Sequence, residues 1–247
     1  MVPLPAQGHL NQLLQLSRLV SARDIPVHFV GTTTHNRQAK LRVHGWDPLS
    51  ISNFKFHDFQ PPTFSNPPPE PNSVDKFPTQ ILPSLISSTN LRDPVYNLVA
   101  QLSDTVRKIV VVYDSLMPYV VQDISVIPNA ESYCFHSISA FSLYSFSWED
   151  KKPILPIEAE IVKEAPSMEG CFPPEFLEFS KTQEDAPKFN SGDIYNTSRV
   201  IEGLYVDLLA KEKTTGTDKI WAIGPFNPVS IHEKNDSMNK SKKLRSG

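Results

Sequence analysis

Five consecutive apolar residues, Ile109-Val110-Val111-Val112-Tyr113, stop abruptly at Asp114. An apolar run that continuous describes a strand buried on both faces rather than one with a wet side. Both faces of a strand are covered only where helices pack on each side of the sheet, so this run points to a parallel α/β fold.

Strand and helix signals alternate along the rest of the chain, as such a sheet requires. A first helix starts near residue 7. Residues 27–30 read as a strand ending at Gly31-Thr32-Thr33-Thr34, with a short helix over 35–43. Phe54, Phe56 and Phe59 mark a second strand over 53–59, whose strict alternation breaks at Phe59. Residues 61–78 form a Pro-rich loop longer than a simple connector needs. The helical pattern over 81–102 is interrupted by Pro83 and Pro94 and so predicts two helices or a kink. After Asp114 come a helix over 117–124 with Pro118 in its first turn, a strand over 132–135 and an aromatic-rich helix over 138–148. Residues 151–190 are a Pro- and Glu-rich excursion with one or two short helices. A strand at 193–196, a helix over 199–211 and a last strand at 219–223 complete the pattern.

Composition excludes several classes. The net charge of −3 argues against nucleic acid as a partner, because binding phosphates requires a basic surface. Cys134 and Cys171 make neither a disulfide framework nor a zinc site, so no metal is expected, and a reduced, cytoplasmic setting fits best. No secretory leader is visible, and no apolar stretch approaches the ~18 residues of a membrane span. The sequons at Asn196, Asn235 and Asn239 are then chance matches. The chain has 23 prolines and only 9 glycines, and lacks both the G-x-G-x-x-G and the P-loop pattern, so no bound cofactor is expected.

The stretch most open to chemistry is Pro3-Leu4-Pro5-Ala6-Gln7-Gly8-His9-Leu10-Asn11-Gln12-Leu13-Leu14-Gln15-Leu16. A Pro-bounded turn runs through Gly8 and His9 into a helix. Leu10, Leu13, Leu14, Leu16, Leu19 and Val20 form its apolar face, with Asn11, Gln15 and Arg18 opposite. His9 lies at the mouth of that helix, where free N–H groups and the positive dipole end disfavour an imidazolium. A neutral imidazole there can accept a proton. A lone Gly-His, however, more often only decorates a helix start.

Asp114 has two readings as well. It stands at the carboxyl end of the most buried strand, outside which open α/β sheets bind their ligands, and there it can orient an imidazole. Asp is also a favoured N-cap for a following helix.

The stretch from Pro3 to Arg18 resembles the opening of plant UDP-dependent glycosyltransferases, most closely the zeatin O-glucosyltransferases. Val112-Tyr113-Asp114-Ser115, Gly192-Asp193-Ile194-Tyr195-Asn196-Thr197-Ser198 and Trp221-Ala222-Ile223-Gly224-Pro225 extend the likeness to about residue 228. The resemblance implies the acceptor-side, N-terminal Rossmann-like domain of a GT-B glycosyltransferase, a parallel sheet flanked by helices over 1–224. Residues 225–247 would begin the interdomain linker and a disordered polar tail. It further implies an inverting, metal-independent glucosyl transfer to a small hydroxylated plant molecule such as zeatin. His9 would be the catalytic base and Asp114 its charge-balancing partner. Gly8, Ser139, Phe141 and Tyr144 are the candidates for acceptor contact, with the 61–78 loop as a wall and His136 as a further polar contact. Two parts of the family pattern are missing. Only Met1 and Val2 stand where members carry a full first strand, and nothing after Gly224 resembles the half that binds the UDP-sugar. The alternative is a binding module that holds a small hydroxylated molecule without transferring sugar.

Overall fold

The computed structural model describes residues 1–226 apart from 42, 44–45, 61, 70, 73–75, 148–168, 188, 213–216 and 218. Of the predicted elements, the end of the aromatic helix, most of the 151–190 excursion's first half and the tail lie outside the described residues. Only Pro225 and Phe226 are described of the expected linker.

The first half alternates helix α1 (Gln7–Ser21), strand β1 (Val27–Thr32), helix α2 (Thr33–Leu41) and strand β2 (Phe54–Phe59). Two helices follow, α3 (Leu82–Ser87) and α4 (Arg92–Ser103), each flanked on its N-terminal side by a short 3-10 turn. Pro83 and Pro94 fall in their first turns, where the absent N–H costs no helical hydrogen bond, so the predicted interruption is a real division into two helices. Strand β3 (Ile109–Asp114), a one-turn helix α5 (Pro118–Val121), strand β4 (Ala130–His136) and helix α6 (Ala140–Ser147) come next. Helix α7 (Pro174–Asp185), strand β5 (Asp193–Tyr195), helix α8 (Arg199–Glu212) and strand β6 (Ile220–Ala222) complete the order.

All strand pairs are parallel. β1 pairs with β2, and β3 to β6 form a second ladder in sequence order. Met1 and Val2 join the two. The Val30 N–H bonds to the Met1 carbonyl at 2.9 Å on one side, while Val2 exchanges bonds of 2.8 and 3.0 Å with Val112 and Asp114 on the other. Met1 and Val2 therefore occupy the centre of a sheet ordered β2-β1-Met1/Val2-β3-β4-β5-β6. The chain leaves that centre toward β1 first and returns to its other flank at β3. This is a topological switch point, and the loops leaving Val2 and β3 diverge to open a crevice between them.

Side chains alternate across the sheet and so feed separate layers. Leu10, Leu13, Leu14 and Leu16 of α1 pack with Phe29, Phe54, Val112 and Phe135 on one face. Val2, Val111, Tyr113 and Cys134 face the other way, against Leu85, Val95, Val99, Val120 and Phe179 of the helices there. A smaller cluster joins Ala140 and Tyr144 of α6 to Tyr195 and to Val206, Leu208 and Leu209 of α8.

Two expectations need correction. Leu19 is half exposed, because the apolar face of α1 is narrower than its leucines suggest and Ser17 fills a buried place in it, bonded to the Leu13 carbonyl. The run through β3 is not covered throughout either. Val111 to Asp114 are buried, but Val110 is 53 % exposed at the amino-terminal end of the strand.

Candidate active site

The turn Pro3–Ala6 leaves the central stub and delivers His9 into the first turn of α1, with Ala6 as N-cap. On the neighbouring flank β3 ends at Asp114. His9 Nδ1 lies 2.7 Å from Asp114 Oδ2, across 105 residues of sequence. The carboxylate is completely buried and the imidazole side chain 20 % exposed. With Nδ1 engaged by an acceptor-only carboxylate, the ring carries its proton there and presents Nε2 as a proton acceptor.

Three donors hold Asp114. Oδ2 accepts from His9 and also from Ser137 Oγ at 2.8 Å, and Oδ1 accepts from the Leu116 N–H at 3.0 Å. Both readings of Asp114 thus have a counterpart in the structure, one on each oxygen. The local bond, however, closes the turn after β3 rather than capping α5, whose N-cap position is Met117. Ser137 was not singled out in the sequence. Its signal was its place just past the carboxyl end of β4, the strand beside β3.

Burial lowers the proton affinity of His9, but the charge and hydrogen bond of Asp114 outweigh it, and the pKa ends above the ordinary imidazole value. The expectation that the helix dipole alone would keep this ring neutral is therefore overridden by a carboxylate at 2.7 Å.

His9 opens onto a cavity of about 580 Å³, within the usual range for a small-molecule site. Its walls are mostly apolar. Phe77 at the end of the Pro-rich loop, Phe146 of α6, and Phe172 and Phe176 around the start of α7 contribute rings. Phe77 and Phe176 lie 4.5 Å apart between centroids, and Phe172 stacks on Phe176 at 4.8 Å. Tyr113, Cys134, His136 and Tyr195 from the strands, Asn190, and Gln183 and Glu184 of α7 are among its polar residues.

The other sequence candidates are placed elsewhere. Gly8 is exposed beside His9, off the cavity wall, and a Cβ there would meet nothing within 4 Å. Ser139 caps α6, its Oγ accepting from the Ser142 N–H at 3.0 Å. Phe141 and Tyr144 turn toward Tyr205 of α8. The face of α6 that reaches the cavity carries Leu143 and Phe146 instead. The helix was legible, but its phase is set by where α8 docks.

A second histidine–aspartate pair lies behind the cavity wall, to which His136 contributes. His136 Nε2 sits 2.9 Å from Asp193 Oδ1, and Asn190 Nδ2 donates to the same oxygen at 3.2 Å. Cys134, His136 and Asp193 bring a thiol, an imidazole and a carboxylate within 4.8 Å of one another, all buried, and among the described residues they are the one group with a metal-ligand set.

A half-buried histidine hydrogen-bonded to a buried aspartate thus opens onto an apolar cavity at the switch-point crevice. The family model for the glycosyltransferase N-terminal domain matches residues 1–228. The chain belongs to that family. It is 50 % identical over 239 residues to zeatin O-glucosyltransferase of Phaseolus lunatus, covering 96 % of this chain and 50 % of that one. Zeatin O-xylosyltransferase of Phaseolus vulgaris is 46 % identical, with 98 % of this chain and 51 % of that protein aligned. The chain thus spans about half the length of the curated relatives it matches. Among solved structures, Arabidopsis thaliana UGT89C1 complexed with UDP superposes with a TM-score of 0.62 at 19 % identity, over 94 % of this chain and 52 % of that one. That likeness shows a shared fold. Among the described residues, no helix is long and apolar enough to cross a membrane.

Proposed function

We propose that this chain is the acceptor-binding half of a UDP-glucose-dependent, inverting O-glucosyltransferase acting on a small hydroxylated plant molecule such as zeatin. The observation that carries the reading is the His9–Asp114 pair at the edge of an apolar cavity. A hydroxyl of the acceptor lies against His9 Nε2. As its oxygen attacks the anomeric carbon of the donor, UDP departs from the opposite face, the configuration inverts, and the hydroxyl proton passes to Nε2. Asp114 balances the charge that forms on the ring. Positioning and proton abstraction together supply the rate, with no metal in the scheme. The phenylalanines around the cavity suit a flat ring system as the body of the acceptor. The UDP-sugar is held by a C-terminal half supplied outside these residues.

Titration calorimetry on the 247-residue chain tests this division. trans-Zeatin is expected to bind with saturable heat, and UDP-glucose to give none. Saturable UDP-glucose binding would place a donor site in this half and break the assignment, and absent zeatin binding would remove the proposed acceptor. Zeatin binding without any transfer once a donor half is supplied would favour the non-catalytic module instead.

A further inference from the structure

The His9–Asp114 pair has a third member whose effect opposes the pair's own tendency. An imidazole at 2.7 Å from a fully buried carboxylate is drawn toward its protonated form. A general base, by contrast, works only while neutral, so too strong a pull would silence it near neutral pH. Ser137 Oγ donates to the same oxygen, Oδ2, that receives the His9 bond, at 2.8 Å and from a buried position. A hydroxyl that donates to that oxygen places its positive end beside the imidazole and reduces the attraction the ring feels. It also fixes the carboxylate's rotation, together with the Leu116 N–H on Oδ1.

We infer that Ser137 is a positioning residue that tempers the His9–Asp114 pair, holding the carboxylate in place while limiting how strongly it retains a proton on His9. This rests on the general-base reading of His9. The titratable groups that share the cavity with His9 come from several elements. Tyr113 of β3 and Tyr195 of β5 are pushed far up by burial and stay neutral, and Cys134 and His136 of β4 and Glu184 of α7 complete the set. Asp114 is the charge that acts on His9. Ser137 itself does not titrate, so its contribution is a fixed dipole, present at every pH.

The test is a pH titration of the His9 imidazole by NMR in the 247-residue chain, its signal assigned by its loss in His9→Ala. Ser137→Ala is expected to shift the His9 midpoint upward, Ser137→Cys to shift it upward by less, and Ser137→Thr to restore it. In the full-length enzyme, Ser137→Ala should lower transfer roughly threefold on the acidic side of the pH profile and leave the alkaline plateau within about twofold. An unchanged or downward midpoint in both Ser137→Ala and Ser137→Cys would overturn the inference, as would an equal loss of rate at every pH. Failure of the underlying reading looks different. Transfer that survives His9→Ala would remove the general base while the NMR shift on Ser137 substitution stood.

Discussion

The two histidine–aspartate pairs are nearly alike in distance, at 2.7 and 2.9 Å, yet they differ in origin and in surroundings. His9 and Asp114 come from a helix start and a strand end on opposite flanks of the switch point. His136 and Asp193 come from adjacent strands, β4 and β5. His9 offers its outer nitrogen to the cavity. The His136 ring lies flat on Tyr195, 4.4 Å between centroids, and its second nitrogen, Nδ1, is enclosed with no hydrogen-bond partner among the described residues. The difference is one of access: an imidazole beside a carboxylate becomes a base only where its free nitrogen faces a substrate, and otherwise it ties a sheet together.

The largest expected effect separates the two by activity. His9→Ala, assayed with a donor half supplied, should lower transfer by a factor of roughly 10² to 10⁴, at a smaller cost in stability than His136→Ala because Ser137 and the Leu116 N–H still hold Asp114. His136→Ala should do the converse. It takes the imidazole from a buried carboxylate that Asn190 also holds, at a cost of about 3 kcal/mol in denaturant unfolding, with the folded fraction still active. If His136→Ala stayed stable and lost activity, the comparison would have to be reversed.

Acid sharpens it in another way. Burial holds His35 down to a pKa of about 4, with Thr32 and Ser84 hydroxyls 2.7 and 2.6 Å from its two nitrogens. The folded chain therefore binds fewer protons than the unfolded chain between the ordinary value of 6.5 and about 4, so stability falls as pH drops through that window, by an amount on the order of 3 kcal/mol. His9 has the opposite sign. Its raised pKa contributes stability that is complete below the unfolded value and lost as pH rises through the folded one. Unfolding free energies measured at pH 4 and 6.5 should show the loss on acidification in wild type and a smaller loss in His35→Asn. An unchanged slope in the variant would clear His35 of the effect.

Smaller changes probe the residues around the pair. Ser139→Ala should cost about 1 kcal/mol as a lost helix cap, with transfer unaffected. Gly8→Ala is expected to change stability by about 0.5 kcal/mol or less, in the stabilising direction, because the added methyl has open space and suits a helix. A collapse of transfer in Gly8→Ala would mean that a substrate approaches the backbone there.

Much of this was readable before the fold. The apolar run of β3, the alternation of strands with helices, and the positions of His9 at a helix mouth and Asp114 at a strand end follow from periodicity; that the two form a pair was implied only by the family resemblance. The rest depended on partners far away in sequence. Phe141 and Tyr144 looked as suited to a cavity as Leu143 and Phe146, because one aromatic helix offers several faces and only the docking of α8 chooses among them. The His136–Asp193 pair is set by the register in which Cys134 lies opposite Asp193. Ser137 belongs to no recognisable motif and acquires meaning only from the carboxylate beside it.

The stub at the centre of the sheet has a consequence for how the pair is held. Along the covalent chain His9 and Asp114 are distant, and their alignment would seem to depend on the whole domain. Yet the Asp114 N–H bonds directly to the Val2 carbonyl, and from Val2 the backbone passes through two prolines, Pro3 and Pro5, to His9. That shortcut works like a short strut of fixed length between the two groups. Strain elsewhere in the fold can be absorbed without changing their separation, whereas slippage of Met1 and Val2 by one residue would move His9 directly.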